Sequence, residues 1–334
     1  MADGRAVPHR VLSPTLSTLI DPVRFDLELF TTLNNEYVGK RLVESPRKFD
    51  PDSQASEARR RGDLIENSVG ASGKRLLEIG CGRGGVGRYL ASAYDCEVVG
   101  IDITPFDEWK DPLPTNLSVM VGDAADPNLS FGTFDVIYSF SVWEHLAHPY
   151  TTLANCFGWL DPGGTLSIRA QLHRGPKASH RYREVFFPWP HLLFTDEIFE
   201  AYYHSLGMAP NRPAWVNKLT YIQYLDYFDR LGYEVRRCSA TGSSFDEEFY
   251  DRFHDVLSAY PRWDLAHDGI VAVMDRPREM KPAMPEGDPT EDMDALRERV
   301  ADLEDRVFRL RRRKALRAAD WTGRQLRRLT RVKA

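Results

Sequence analysis

The sequence has few cysteines, and none of them stand at the spacing of a metal or redox site. Its four cysteines are scattered through 334 residues without a CxxC pair, which indicates a reducing cytosol and argues against structural zinc. No stretch approaches 18 uncharged apolar residues, so the sequence offers no candidate membrane span. The first sixteen residues also lack the apolar core of a signal peptide. We therefore expect a cytoplasmic protein.

The body of the chain is acidic and its end is basic. The net charge is −5, yet residues 306–334 hold twelve Lys or Arg and one acid. An a/d heptad seam precedes and overlaps this stretch, formed by Leu296, Val300, Leu303, Val307 and Leu310. Because two heptads are marginal for a coiled coil, we expect weak homo-oligomerisation at most. The basic residues favour peripheral contact of this stretch with an anionic membrane. No nucleic-acid partner is expected, since no basic-aromatic groove is evident.

Short apolar segments alternate with amphipathic ones through the middle of the chain. Strands are predicted at 74–79, 96–102, 116–123, 134–140, 164–170, 233–240 and 269–275. Helices are predicted at 54–69, 86–93, 149–160 and 243–260, and another begins at the capping-box pair Thr220 and Gln223. This alternation predicts an α/β fold, a doubly wound, mostly parallel sheet covered by helices on both faces.

Four regions follow from these patterns. Residues 1–53 are proline-rich and partly irregular, and we expect them to cap the site. The main domain spans 54–275 and contains an insertion, residues 171–217, which is rich in His, Arg and aromatic residues and too long for a connecting loop. A Pro- and acid-rich linker is predicted at 276–292 and a basic helix or short coiled coil at 293–334.

A glycine-rich turn, LLEIGCGRGG, joins the first strand to the following helix. A P-loop is excluded because no Lys follows the glycines. Gly80, Gly82 and Gly85 satisfy the dinucleotide pattern GxGxxG, which is weak evidence by itself. Glu78 discriminates between ligands, because its carboxylate would repel a pyrophosphate on the turn but favour an ammonium or sulfonium group. A nicotinamide oxidoreductase is therefore disfavoured.

Two acids follow the next two strands. Asp102 ends the second strand, where a carboxylate can hold two ribose hydroxyls. Asp123 ends the third strand and is followed by Ala124. This pair could bind an adenine amino group, and Asp123 could equally start a turn.

Five motifs in this order resemble those of class I S-adenosylmethionine-dependent methyltransferases. They are LLEIGCGRG, the acid of VVGID, VGDA, FDVIYSFSVWEHL and LDPGGTL, within a match over about residues 54–275. The resemblance implies a Rossmann-like sheet of seven strands with the last strand antiparallel, and S-adenosylmethionine as cofactor. It also implies that Glu78, Gly80, Cys81 and Gly82 line the methionine part of that cofactor.

The same resemblance assigns the other half of the cofactor site. Asp102 would hold the ribose, with Ile103 against the adenine. Asp123 and Ala124 would face the adenine edge. Ser139, at the end of the fourth strand, would sit beside the cofactor and the acceptor.

SVWEH follows the fourth strand, and its histidine, His145, is the candidate catalytic base because imidazole titrates near neutral pH. His145 could instead be a helix-start residue with local hydrogen bonds. Glu144 and His145 resemble the Glu-His of ubiquinone-biosynthesis O-methyltransferases, where a metal has been implicated together with a preceding acid. Ser141 takes the place of that acid here, and the histidines of the insertion show no zinc spacing. We therefore expect no metal.

These features together predict an enzyme. We expect methyl transfer from S-adenosylmethionine to a small-molecule or glycan acceptor, at oxygen, in cell-surface polysaccharide or glycosylated-metabolite biosynthesis. Aromatic, Arg and His residues of the insertion suit a hydroxyl-rich acceptor. The alternative is a non-catalytic assembly protein that binds the cofactor and recruits partners through its C-terminal coil.

Overall fold

A computed structural model describes residues 25–43, 50–209, 217–242 and 245–279. The basic coil predicted for 293–334 and most of the 276–292 linker lie outside these ranges. Among the described residues, no helix has both the length and the apolar character to cross a membrane.

Seven strands form one sheet. They are β1 (Arg75–Ile79), β2 (Glu97–Asp102), β3 (Leu117–Val121), β4 (Phe134–Phe140), β5 (Leu160–Gln171), β6 (Glu234–Gly242) and β7 (His267–Asp275). Their order is β3-β2-β1-β4-β5-β7-β6. The first five strands are parallel and β7 runs antiparallel to both β5 and β6. The predicted doubly wound sheet with an antiparallel last strand is confirmed.

The helices lie on both faces of this sheet and in the insertion. They are α1 (Leu27–Glu36), α2 (Pro51–Val69), α3 (Gly85–Tyr94), α4 (Pro149–Trp159), α5 (Pro190–Leu193), α6 (Asp196–Ser205), α7 (Tyr221–Arg230), α8 (Glu247–Arg252), α9 (His254–Leu257) and α10 (Arg262–Leu265). The capping box that starts α7 forms as predicted. The helix predicted for 243–260 is divided into α8 and α9, because Phe253 leaves helical geometry between them.

Each face of the sheet has its own hydrophobic core because successive strand residues point to opposite sides. In β1, Leu76 packs with α2 and α3, whereas Leu77 packs with α4 and α7. The carboxyl ends of the parallel strands are thereby fixed as one rigid edge, on which ligand sites of such sheets are built.

A third cluster of buried side chains, the aromatic core, lies away from the sheet. It joins α1, the insertion and α8–α10, and its largest members are Phe30, Phe187, Trp189, Phe199, Tyr202 and Phe249. Asn34 of α1 fastens it, since its side-chain amide donates to the Glu184 carbonyl (2.8 Å) and accepts from the Phe186 N–H (2.7 Å). The insertion is thus a packed subdomain on which α1 docks.

Candidate active site

The turn between β1 and α3 is shaped by glycines with left-handed backbone. Gly80, Gly82 and Gly84 have φ of 69°, 51° and 77°, which residues with a side chain adopt only at a cost. The N–H groups of Gly80 and Cys81 both donate to the Ile101 carbonyl, at 2.8 and 3.0 Å. The turn is therefore tied to the end of β2.

Gly80 also contacts the turn that follows β4. A Cβ on Gly80 would lie 2.2 Å from Val142 Cγ2, so any side chain there would push the two turns apart. The glycine turn and the turn that carries Glu144 and His145 are in direct contact through this position.

Glu78 lies beneath the glycine turn and is only 5% exposed. It is opposite Tyr138 in the β1–β4 register, and the Tyr138 hydroxyl donates to its Oε2 at 3.1 Å. Burial raises the pKa of Glu78 to about 8, although Tyr138, Arg61 of α2 and the Gly87 N–H favour its charged form. A cationic ligand group nearby would supply further compensation for this buried carboxylate.

Asp102 and Ile103, predicted for the ribose and adenine, lie at and just beyond the end of β2, beside the glycine turn. Asp102 accepts hydrogen bonds from the N–H of Gly82 (2.9 Å) and of Thr104 (3.1 Å), which fixes its carboxylate beside the glycine turn. Ile103 is 72% exposed. An apolar side chain so exposed at the end of a central strand provides a surface for a flat ring.

The other predicted cofactor residues differ in their surroundings. Asp123 is exposed, and its side chain accepts a hydrogen bond from the Ala125 N–H at 2.9 Å, as a turn-forming aspartate does. The Ala124 carbonyl accepts a hydrogen bond from the Asn155 side chain. Ser139 is buried and its hydroxyl lacks a hydrogen-bond partner. Burial raises the pKa of Cys81, which keeps its thiol neutral. The cofactor contacts of these residues stay predictions.

The turn after β4 is held in an unusual conformation. Ser141 has φ of 58°, and a short 3₁₀ helix, Trp143–His145, follows. Asn217, at the end of the insertion, donates from its backbone to the Glu144 carbonyl (2.8 Å) and from its side chain to the Trp143 carbonyl (2.6 Å). The insertion thereby fixes the position of the candidate base.

Glu144, His145 and His180 form a compact group. Glu144 is 0% exposed and neither of its carboxylate oxygens has a hydrogen-bond partner. The rings of His145 and His180 are 5.0 Å apart. Burial raises the pKa of Glu144, and burial together with His145 lowers that of His180 to about 4. The insertion therefore supplies an uncharged imidazole beside the predicted base.

Unpartnered polar atoms are concentrated around this group. Among the described residues, the side chains that carry such buried atoms are Ser139, Trp143, Glu144, Gln171, His173, His180, Arg181, His191 and Tyr224. They come from the ends of β4 and β5, the insertion and α7. Since buried polar groups are normally paired, this concentration indicates a place where a polar ligand binds.

The sequence prediction missed Gln171, Tyr138 and Arg61, and it offered His180 of the insertion only as a substitute base should His145 not be the base. Tyr138 could have been found from the β1–β4 register, which pairs it with Glu78. His180 is 35 residues beyond His145 in the sequence and has no motif of its own. Only the packing of the insertion brings it to the end of β4.

This chain is similar to known methyltransferases. Residues 77–168 match the family model described as a methyltransferase domain. The chain is 28% identical to tocopherol O-methyltransferase of Arabidopsis thaliana over 201 residues, 53% of this chain and 54% of the relative. It is 32% identical to ubiquinone biosynthesis O-methyltransferase of Nitrosococcus oceani over 122 residues, covering 35% and 51%.

Two further matches are to phosphoethanolamine methyltransferases. Identity to phosphoethanolamine N-methyltransferase 1 of Triticum aestivum is 34% over 102 residues, 29% of this chain and 20% of the relative. A structure of phosphoethanolamine N-methyltransferase 2 of Haemonchus contortus with S-adenosyl-L-methionine matches at 16% identity and a TM-score of 0.41, covering 65% and 52%. The chain thus spans about half or less of the length of these curated relatives.

The buried carboxyl of Glu78 predicts a specific pH dependence of stability. The pKa of Glu78 is about 8 in the folded protein, whereas an unburied glutamate has a pKa of 4.5. Between these two pH values the folded state therefore binds more protons than the unfolded state. Stability contributed by Glu78 is therefore lost as pH rises from 4.5 through 8, by at most ~1.4 kcal/mol per pH unit. Glu78→Gln should flatten this slope in denaturation midpoints measured from pH 5 to 9.

The control for this measurement is Glu28→Gln, which changes an exposed glutamate of α1. It should retain the slope of the unmodified protein. Equal slopes for Glu78→Gln and the unmodified protein would contradict a raised pKa at Glu78.

Proposed function

We propose that this protein, whose residues 77–168 match the model of a methyltransferase domain, transfers the methyl group of S-adenosylmethionine to an oxygen atom of a small polar acceptor. The observation that supports an acceptor site is the group of buried, unpartnered polar atoms around Glu144 and His180. It lies at the ends of β4 and β5, beyond the glycine turn, where an acceptor would meet the cofactor.

The residues around the glycine turn fit the cofactor. Asp102 uses its two oxygens for backbone N–H groups, but an ionised carboxylate has about four lone-pair sites and can still accept from two ribose hydroxyls. Ile103 offers its exposed face to the adenine, and a Cβ on Gly82 would have no atom within 4 Å, which leaves room for the methionine part. When bound, the cofactor supplies an electrophilic methyl group on a sulfonium.

The chain's own task is to position the acceptor and accept its proton. His145 is placed by the contact with Asn217 and by the turn at Ser141. As its ring takes up the proton, the neighbouring Glu144 carboxylate would stabilise the resulting charge. Positioning can contribute up to ~7–11 kcal/mol in ideal cases, so the rigid support from the insertion matters as much as the base.

Two observations support the proposed class of acceptor. The names of the relatives mention tocopherol, ubiquinone biosynthesis and phosphoethanolamine, which favours a small-molecule acceptor. The insertion adds His, Arg and Gln side chains with buried, unpartnered polar atoms, which suit hydroxyl groups. We extend the proposal to a glycan or glycosylated metabolite of cell-surface polysaccharide biosynthesis.

Asp102→Ala tests the cofactor site. Loss of a charge-assisted pair to the ribose costs about 1.5–3 kcal/mol, or roughly tenfold to a hundredfold in affinity. Calorimetric titration with S-adenosylhomocysteine should show this loss, while Asp111→Ala, at an exposed aspartate outside the turn, should bind as the unmodified protein does. Unchanged affinity in Asp102→Ala would refute the ribose assignment.

His145→Ala tests the transfer chemistry. Without its proton acceptor, turnover should fall by about 10²–10⁴-fold, with little change in the dissociation constant for S-adenosylhomocysteine. Product formation is measured with a panel of phenolic, sugar and amine acceptors. His148→Ala, at an exposed histidine three residues further on, is the matched control. A protein that binds the cofactor but methylates nothing in the panel would favour the assembly-protein alternative.

We further propose that the protein is cytoplasmic and that its basic C-terminal segment contacts an anionic membrane surface. Residues 306–334 hold twelve Lys or Arg, and each basic residue near such a surface contributes about 1 kcal/mol, weakened by salt. Leu316, Trp321, Leu326 and Leu329 offer apolar anchors. Such contact would keep the enzyme near membrane-linked acceptors.

Sedimentation with liposomes tests the membrane contact. The full chain should pellet with vesicles that contain anionic lipid, and less so at high salt. A chain truncated after Glu291 should stay in the supernatant. Equal behaviour of the two chains would exclude a membrane role for the basic segment.

A further inference from the structure

Three buried atoms at the end of β4 lack any hydrogen-bond partner. They are Oε1 and Oε2 of the fully buried Glu144 and Nε2 of His180. Leaving such groups unpaired costs about 1–3 kcal/mol each, and more where a charge is involved. A fold that places three of them side by side has a use for them.

The geometry suits a metal ion. Glu144, His145 and His180 each offer one ligand atom, and these three atoms all lie within 4.8 Å of one another. Three ligands bound to one ion at about 2.1 Å lie about 3.4 to 3.6 Å apart, so the side chains would have to approach one another by at most about 1.4 Å to close the site. Ser141, at the turn before Glu144, and His180 itself have left-handed backbone, with φ of 58° and 56°, a conformation that costs free energy and is often found at functional sites.

We propose that Glu144, His145 and His180 bind a divalent transition-metal ion of the Zn²⁺ or Co²⁺ type. Two imidazoles and one carboxylate are a ligand set that such ions accept with positions left open. Mg²⁺ and Ca²⁺ prefer oxygen ligands alone. A proton shared between Glu144 and His180 would satisfy two of the three unpartnered atoms, whereas a cation can satisfy all of them.

The three ligands come from two parts of the chain. Glu144 and His145 lie on the short helix after β4, and His180 comes from the insertion, whose end is fastened to that helix by Asn217. Metal binding would therefore join the insertion to the sheet edge at a second point.

Titration of the metal-free, full-length protein with Co²⁺ tests the proposal directly. The expected result is a visible absorption band that saturates at one ion per chain, is displaced by Zn²⁺ and is unaffected by Mg²⁺. Absence of a saturable band, or a band abolished equally by Mg²⁺, would overturn it. This measurement needs neither cofactor nor acceptor.

Variants locate the ion. Changes to outer-shell groups typically weaken metal affinity 10–100-fold, so loss of a direct ligand in His180→Asn or Glu144→Gln should weaken it about a hundredfold or more. His204→Asn, at an exposed histidine of the same insertion, should bind Co²⁺ normally. If His204→Asn loses the band and His180→Asn keeps it, the ion is bound at the surface and the proposal fails. Binding of S-adenosylhomocysteine verifies that each variant is folded.

The ion also has a consequence that rests on the proposed function. A metal on the His145 ring would compete with the acceptor's proton, so Zn²⁺ should inhibit turnover and EDTA should restore it. If Zn²⁺ binds at this site without changing turnover, the metal site stands and His145 is not the base. The metal-site hypothesis and the hypothesis that His145 is the base are therefore contradicted by different results.

Discussion

The arrangement of this site depends on the contact between Gly80 and Val142. Only a residue without a side chain lets the turn after β1 touch the turn after β4, since a Cβ would lie 2.2 Å from Val142 Cγ2. One turn carries the predicted cofactor residues and the other carries Glu144 and His145. The contact sets the distance between the two halves of the site, and the neighbouring positions of β1 and β4 in the sheet make it unavoidable.

The fold could be predicted from the sequence because its signals are local. Each parallel strand is a short apolar run, each covering helix has an amphipathic pattern, and the capping box of α7 lies within four residues. The division at Phe253 of the helix predicted for 243–260 was not predictable. The sequence around Phe253 carries no Gly or Pro that would mark a break, and tertiary packing can override local propensity.

Some residues of the site could be predicted from local sequence patterns, whereas others depend on contacts between distant parts of the chain. Glu78 and Asp102 could be identified because each lies at the end of a strand beside the glycine turn. Tyr138 required the strand register, and His180 required the packing of the insertion. A search for ligand spacing finds only ligands on one local element, so it could not group His180 with Glu144 and His145.

The aromatic core has a consequence for the order in which the protein is built. Its members come from α1, the insertion and α8–α10, so Asn34 meets Glu184 across 150 residues of sequence. Contacts of such separation form late in folding because long loops must close first. During synthesis α1 leaves the ribosome long before its partners exist. The aromatic core, and with it the docking of α1, can therefore be completed only after the chain has been synthesised as far as α10.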